Sequence, residues 1–214
     1  RGRDNMNKNN LIRFAQSLMF LPFVAGTTVP LGSIILDTTK DTTQAVFTQK
    51  QNIEASEISA FNQVLAQIAE KEKDQKTKAE AIDSYFESRD MPLFGMGMKM
   101  VQEAEKNDLD WRLLPAIAVR ESTGGKFACK KVDNNPFGWG SCKIGFDSLD
   151  EAIETVAMNL GGNNPNTERH YADKTTDQIL KAYNPPSIIP NYVKQVKSIM
   201  KAIGQEEPIE KITT

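Results

Sequence analysis

The stretch that most constrains this chain runs from Trp111 to Gly140, WRLLPAIAVRESTGGKFACKKVDNNPFGWG. Leu114, Ile117 and Ala118 fall at helical spacing and share one face. Pro115 is tolerated in the first turn of such a helix, and Gly124 and Gly125 supply its stop. Glu121 lies on that same apolar face, where a solvated glutamate is not expected. After the glycines, residues 126–146 alternate Gly, Asn, Pro, Cys and aromatics, a pattern that predicts a small hairpin-like lobe. Apolar surroundings disfavour the carboxylate and raise the pKa of a glutamate. The segment therefore predicts a proton-donating carboxyl beside a loop of amides and rings.

The rest of the chain reads as mainly α. Ile58, Phe61, Leu65 and Ile68 form an apolar stripe that continues through Glu72, Gln75, Ala79, Ile82 and Phe86. A long exposed helix over 54–86 and two helices with a break both fit this pattern, and the segment fits either a partner-binding element or one that contacts the main domain. A further helix is expected over Met96–Lys106, its methionines filling core gaps. Ser148 and Glu151 have the spacing of a capping box, and Leu149, Ile153, Val156, Ala157 and Leu160 follow as a stripe. Residues 162–174 read as a polar loop. A short helix over Thr176–Tyr183, an extended Pro185–Pro190 connection and a last helix over Asn191–Ile203 complete the pattern. The expected organisation is a signal segment at 1–26, a linker at 27–53, a helical extension at 54–86, a main domain at 87–204 and a tail at 205–214.

The N-terminus has the composition of an export signal. Met6 fits a start, Lys8 and Arg13 a positive region, and Phe14–Gly26 an apolar core too short to span a bilayer. In an exported chain, two cysteines suggest one disulfide, here Cys129 with Cys142. Such a bridge would contribute roughly 3 kcal/mol in the chain-entropy picture. A pair of buried free thiols is the alternative. The expected location is thus outside the cell, wall-associated or periplasmic.

Charge and composition narrow the chemistry. A formal charge of -2 leaves no basic surplus for nucleic acid. The single histidine, His170, has neighbours Glu168 and Asp173 in no recognisable metal or triad spacing, and it reads as a surface loop residue. A carboxyl acid remains as the chemical group. Breaking a glycosidic bond requires a proton on a poor leaving oxygen, and Glu121 meets that need. A second carboxylate usually assists, and Asp133, Asp147, Asp150 and Glu151 are open candidates. Alternatively, the acetamido group of an N-acetylated sugar serves as internal nucleophile, with a tyrosine orienting it. Asn134 and Asn135 can bond sugar hydroxyls or amides, Phe137 and Trp139 can pack on pyranose faces, and Gly138 and Gly140 permit close backbone approach. A glutamate at a helix end also fits a salt bridge, with Arg120 adjacent, and the loop also fits a tight turn with core aromatics.

The run AIAVRESTGGKF followed by NNPFGWG, then F-x-S-x-x-E-A-I, AYNPPS and Y-V-x-x-V, resembles the lysozyme-like superfamily. It is most similar to bacterial peptidoglycan glucosaminidases of glycoside hydrolase family 73 and to the related lytic transglycosylases, over about Asp83 to Ile203. The resemblance implies a lysozyme-like helical domain that cuts the β-1,4 glycan strand of peptidoglycan, without metal or organic cofactor. It implies Glu121 as general acid and Tyr183, or less closely Tyr192, near the reacting sugar. It further implies Ser122, Asn134, Asn135, Phe137, Gly138, Trp139 and Asn184 along the cleft. Thr123-Gly124-Gly125 departs from the aromatic-Gly that often follows E-S. Pro185-Pro186 replaces the Ala-Gly common in transglycosylases and leans toward the glucosaminidases. A muramidase or transglycosylase using the same glutamate, and a wall-binding module that has lost activity, are the alternative readings.

Overall fold

The computed structural model describes residues 39–205, with side chains from residue 57 onward. The expected signal segment at 1–26 and the tail from 206 lie outside the described residues. The chain divides into two compact units, Arg1–Ala55 and Ser56–Thr214. Everything below concerns the second, apart from the start of the first helix. Among the described residues there are helices and no strands, in keeping with the expected α class.

Helix α1 runs without a break over Thr39–Glu87. Residues 39–53, expected as linker, are therefore helical. The reason is legible in retrospect: no glycine or proline interrupts the chain between Gly32 and Pro92, and Thr and Gln weaken a helix far less than either. The apolar stripe changes environment along its length. Ile58, Phe61, Leu65 and Ile68 are exposed, whereas Ala79, Ile82 and Phe86 are buried. Residues 56–86 thus belong to the same compact unit as 87–204, because their last turns enter its core.

Helix α2, Gly97–Lys106, is capped from α1. The Asp83 carboxylate accepts the N–H groups of Gly95 at 2.9 Å and Gly97 at 3.0 Å, which satisfies donors left open at the start of α2. Gly97 is required because a Cβ there would run into the Ala79 carbonyl.

Helix α3, Leu113–Ser122, is buried from Leu113 through Ala118. Amphipathic periodicity predicts one covered face, but this helix is the central rod, wrapped on all sides. Its end is a Schellman turn. Thr123 sits in the left-handed region at φ 54°, its N–H donates to the Val119 carbonyl, and Gly124 N–H donates to Ala118. The left-handed turn thus begins one residue early, at Thr123, and Gly124 (φ 62°) and Gly125 (φ 98°) continue it. Gly124 is needed for a further reason, since a Cβ there would lie 2.6 Å from the Met91 sulfur.

The lobe at 126–146 is not a hairpin. It is irregular chain with one 3-10 turn, Trp139–Cys142. Asn134, Gly138, Gly140, Ser141 and Cys142 all have positive φ, which is incompatible with the repeated extended residues a ladder needs. The Cys129–Cys142 disulfide is formed and ties the ends of the loop.

Helix α4, Leu149–Leu160, starts with half of the expected capping box: Ser148 Oγ accepts the Glu151 N–H, while the Glu151 carboxylate accepts the N–H of Asp147 rather than that of Ser148. The polar stretch that follows contains one helical turn, α5, Glu168–Tyr171. Helix α6, Thr176–Tyr183, begins with a capping box between Thr175 and Gln178. Helix α7, Tyr192–Ile203, buries Tyr192, Val196, Met200 and Ile203. It packs against α3 more extensively than any other pair of elements in the unit, and this contact sets the site.

Candidate active site

The crossing of α3 and α7 brings two side chains from distant parts of the chain together. Glu121 stands in the last turn of α3 and Tyr192 in the first turn of α7. The Tyr192 hydroxyl donates to Glu121 Oε1 at 2.6 Å. Tyr192 is 1% exposed, so one carboxyl oxygen is fixed by a buried phenol. The other oxygen faces Gly138, where an added Cβ would sit 3.5 Å from Oε2. Gly138, at φ 63°, therefore holds open the approach to that oxygen, in a conformation glycine adopts freely.

Glu121 is half-buried, and desolvation raises its pKa above the usual glutamate value. The Tyr192 hydrogen bond and the charge of Arg120 oppose this shift without cancelling it. Arg120 itself donates to Gln195 at 2.8 Å and lies over the Tyr192 ring, so it braces the tyrosine and makes no ion pair with its neighbour. The phenols of Tyr192 and Tyr183 are pushed up, first by burial and next by the Glu121 charge. Both are donors at any ordinary pH.

Glu121 opens into a cavity of about 480 Å³, ample for a sugar residue. One wall is aromatic. Tyr183 stacks on Tyr192 with ring centres 6.0 Å apart, and Trp139 lies 5.9 Å from Tyr183 and 6.4 Å from Tyr171. Asn184, Pro185 and Ile188 continue the lining. Another cavity, of about 450 Å³, is lined by Asp110, Arg112, Asp177 and Lys197. Its carboxylates are paired as Arg112–Asp110 and Lys197–Asp177, which leaves no carboxyl poised to give up a proton.

The residues named from the sequence separate into two groups. Glu121, Gly138, Trp139, Tyr183 and Asn184 line the cavity. Phe137 lines it too, but its side chain is fully buried in the core. Ser122, Asn134 and Asn135 lie outside the lining, and each is hydrogen-bonded within the fold. Ser122 Oγ donates to the Ala118 carbonyl and accepts the Gly125 N–H. Asn134 donates to the Phe146 carbonyl. Asn135 is fully buried, donates to the Trp139 and Ile144 carbonyls and accepts the Trp139 N–H. These amides build the loop that presents Trp139. Tyr183 makes no hydrogen bond to the glutamate; its hydroxyl donates to the Phe137 carbonyl. The phenol that does is Tyr192.

Of the carboxylates offered as a second group, none lines the cavity. Asp133, Asp147, Asp150 and Glu151 are exposed, and Glu151 accepts the Asp147 N–H. Sequence reading missed Tyr171. It sits on the short turn α5, its ring is buried against Trp139, and its hydroxyl makes no hydrogen bond to any described residue. A lone tyrosine in a polar loop carries no signal of such a position. Among the described residues no group of His, Cys, Asp and Glu side chains is placed to hold a metal ion. No protein-family model and no curated protein matches this sequence.

Proposed function

We propose that this chain is a glycoside hydrolase of the β-1,4 glycan strand of peptidoglycan, cleaving as an N-acetylglucosaminidase with Glu121 as general acid. The observation that carries the reading is the half-buried Glu121 carboxyl at the edge of an aromatic-walled cavity. One of its oxygens is pinned by Tyr192 and the other is left facing the open space by Gly138. In this role the Glu121 proton passes to the glycosidic oxygen as the bond from the anomeric carbon to that oxygen breaks. The raised pKa supports it, since a general acid must hold its proton near working pH. The aromatic wall supports a sugar ligand, because pyranose faces are apolar.

The cavity holds one carboxyl among the described residues. This favours the route in which the substrate's own acetamido group attacks the anomeric carbon, to be displaced later by water, over a two-carboxylate route. The proposal includes an exported, wall-associated protein, the setting in which this substrate and the disulfide both belong.

The test is digestion of purified peptidoglycan by the wild type and a Glu121→Gln variant, with analysis of the new reducing ends. New N-acetylglucosamine ends from the wild type, and turnover lowered at least about a hundredfold in the variant, are expected. Muramic acid ends or anhydro products would move the assignment to a muramidase or a transglycosylase. Equal turnover by the variant would remove Glu121 from the chemistry.

A further inference from the structure

The lobe at 126–146 carries a charge that the site does not use. Lys126, Lys130, Lys131 and Lys143 all fall in it, with Asp133 as the one acid, so its formal charge is +3 in a chain whose total is -2. All four lysines are exposed. Lys126 is occupied within the fold, since its Nζ donates to the Arg89 carbonyl at 2.8 Å and fastens the lobe to the turn after α1. The ammonium groups of the other three make no hydrogen bond or ion pair with any described residue.

Two features make these three one patch at the mouth of the cavity. The disulfide holds the Cα atoms of Cys129 and Cys142 5.4 Å apart. Lys130 and Lys143 each follow one of these cysteines, so their Cα atoms lie within about 13 Å of each other. Lys131 is the next residue along. The same segment also forms the cavity wall. Gly138, Trp139, Gly140 and Ser141 line the cavity, and the Lys143 N–H donates to the Gly140 carbonyl at 3.2 Å. A polymer that lies in the cavity and leaves it past Gly140 and Ser141 therefore runs onto the lysines. Gathering like charges costs the fold Coulomb energy, and an anionic ligand offsets it.

We propose that Lys130, Lys131 and Lys143 bind carboxylates carried on the glycan strand itself, beside the sugar held at Glu121. The inference rests on the reading of the cavity as a peptidoglycan site and adds a charge requirement to it. Peptidoglycan bears carboxylates on the muramic lactyl group where no peptide is attached, and along the stem peptide where one is. Both hang from the strand that occupies the cavity, so they reach the patch without a separate ligand. A phosphate polymer of the wall is also anionic, but nothing in the cavity leads it to the lobe. The lysines are solvated, so each contact is weak and screened by salt. They favour acidic strands over neutral ones by binding, and take no part in proton transfer.

Binding is measured on the full chain carrying Glu121→Gln, so that turnover does not enter, by co-sedimentation with insoluble peptidoglycan freed of phosphate polymers. Adding Lys130→Gln, Lys131→Gln and Lys143→Gln to this parent should weaken binding about five- to tenfold at roughly 0.05 M salt, with the difference gone at about 0.5 M. A control with Lys73→Gln, Lys76→Gln and Lys201→Gln, which removes the same charge from exposed lysines elsewhere, should bind as the parent does. Capping the peptidoglycan carboxylates as neutral amides should bring the parent down to the lobe variant. Strands stripped of stem peptides assign the source. Lysine dependence that persists on them belongs to the lactyl carboxylates, and lysine dependence that disappears belongs to the peptides. A parent that does not bind, equal binding by parent and lobe variant, an equal loss in the control, lysine dependence untouched by capping, or lysine dependence seen only on walls that retain phosphate polymers would each overturn the proposal. Failure of the enzymatic reading is a separate result: no turnover of peptidoglycan by the protein with Glu121 intact, while lysine-dependent binding holds.

Discussion

The phenol of Tyr192 and the carboxyl of Glu121 are 71 residues apart in the chain and share a 2.6 Å hydrogen bond. The bond does two opposed things. It favours the charged carboxylate, and it holds the carboxyl in one orientation, with the second oxygen toward Gly138. Burial outweighs the first effect, so the acid retains a raised pKa.

Removing the Tyr192 hydroxyl separates these effects. In Tyr192→Phe the interaction that lowers the Glu121 pKa is lost and desolvation remains, so the pKa rises further. The alkaline limb of the activity profile should move to higher pH, while kcat at its optimum falls several-fold because the carboxyl is free to turn. A pH–rate profile of the two proteins checks both. An unmoved limb would mean the bond is not present in solution.

The raised pKa of Glu121 is also a statement about stability. A carboxyl whose pKa is higher folded than unfolded contributes stability while it is protonated in both states, below the unfolded value. That contribution is lost as pH rises through the folded pKa. Glu121→Gln, neutral throughout, does not suffer this loss. The variant should therefore gain stability relative to wild type as pH increases from about 4 to 7, while losing activity. Denaturant midpoints measured across that range should diverge with the variant on top. The opposite order would show that the carboxylate is the favoured form in the fold.

Asn135 should behave as a structural residue rather than a ligand contact. Asn135→Ala leaves the Trp139 N–H and two carbonyls without their partner in a fully buried position, at a cost of about 3 kcal/mol. Activity should fall with the loss of folded loop and recover when a stabilising solute restores it. Asn134→Ala, whose amide makes one bond to Phe146, should cost about 1 kcal/mol. Thermal melts distinguish the two. A normally stable Asn135→Ala protein with weakened substrate binding would restore the ligand-contact role.

Tyr171 presents a hydroxyl with no described partner at the wall beside Trp139. Tyr171→Phe should leave the melting temperature unchanged and raise KM about five- to tenfold, the worth of one hydrogen bond to the ligand. Steady-state kinetics on soluble glycan fragments measure this. An unchanged KM would mean the hydroxyl faces only water.

Much of this protein was legible in its residues taken in order. The cap at Ser148, the last helix, the helix ending at Glu121 and the pairing of two cysteines all follow from interactions spanning a few residues or from a count with one solution. Local rules reach that far because capping, periodicity and backbone preference are local energies. They failed where a neighbour distant in sequence decides the outcome. The lobe at 126–146 is not a hairpin because buried Asn135 gathers the carbonyls of Trp139 and Ile144 into an irregular turn. The glutamate's partner is Tyr192 rather than Tyr183 because α7 crosses α3 at its end, and no pattern in either helix encodes that crossing. The amino-acid order by itself determined which carboxyl sits at the end of an apolar helix. The packing of α7 on α3 decided which phenol holds it and which oxygen is left to act, because these depend on side chains that only the assembled core brings together.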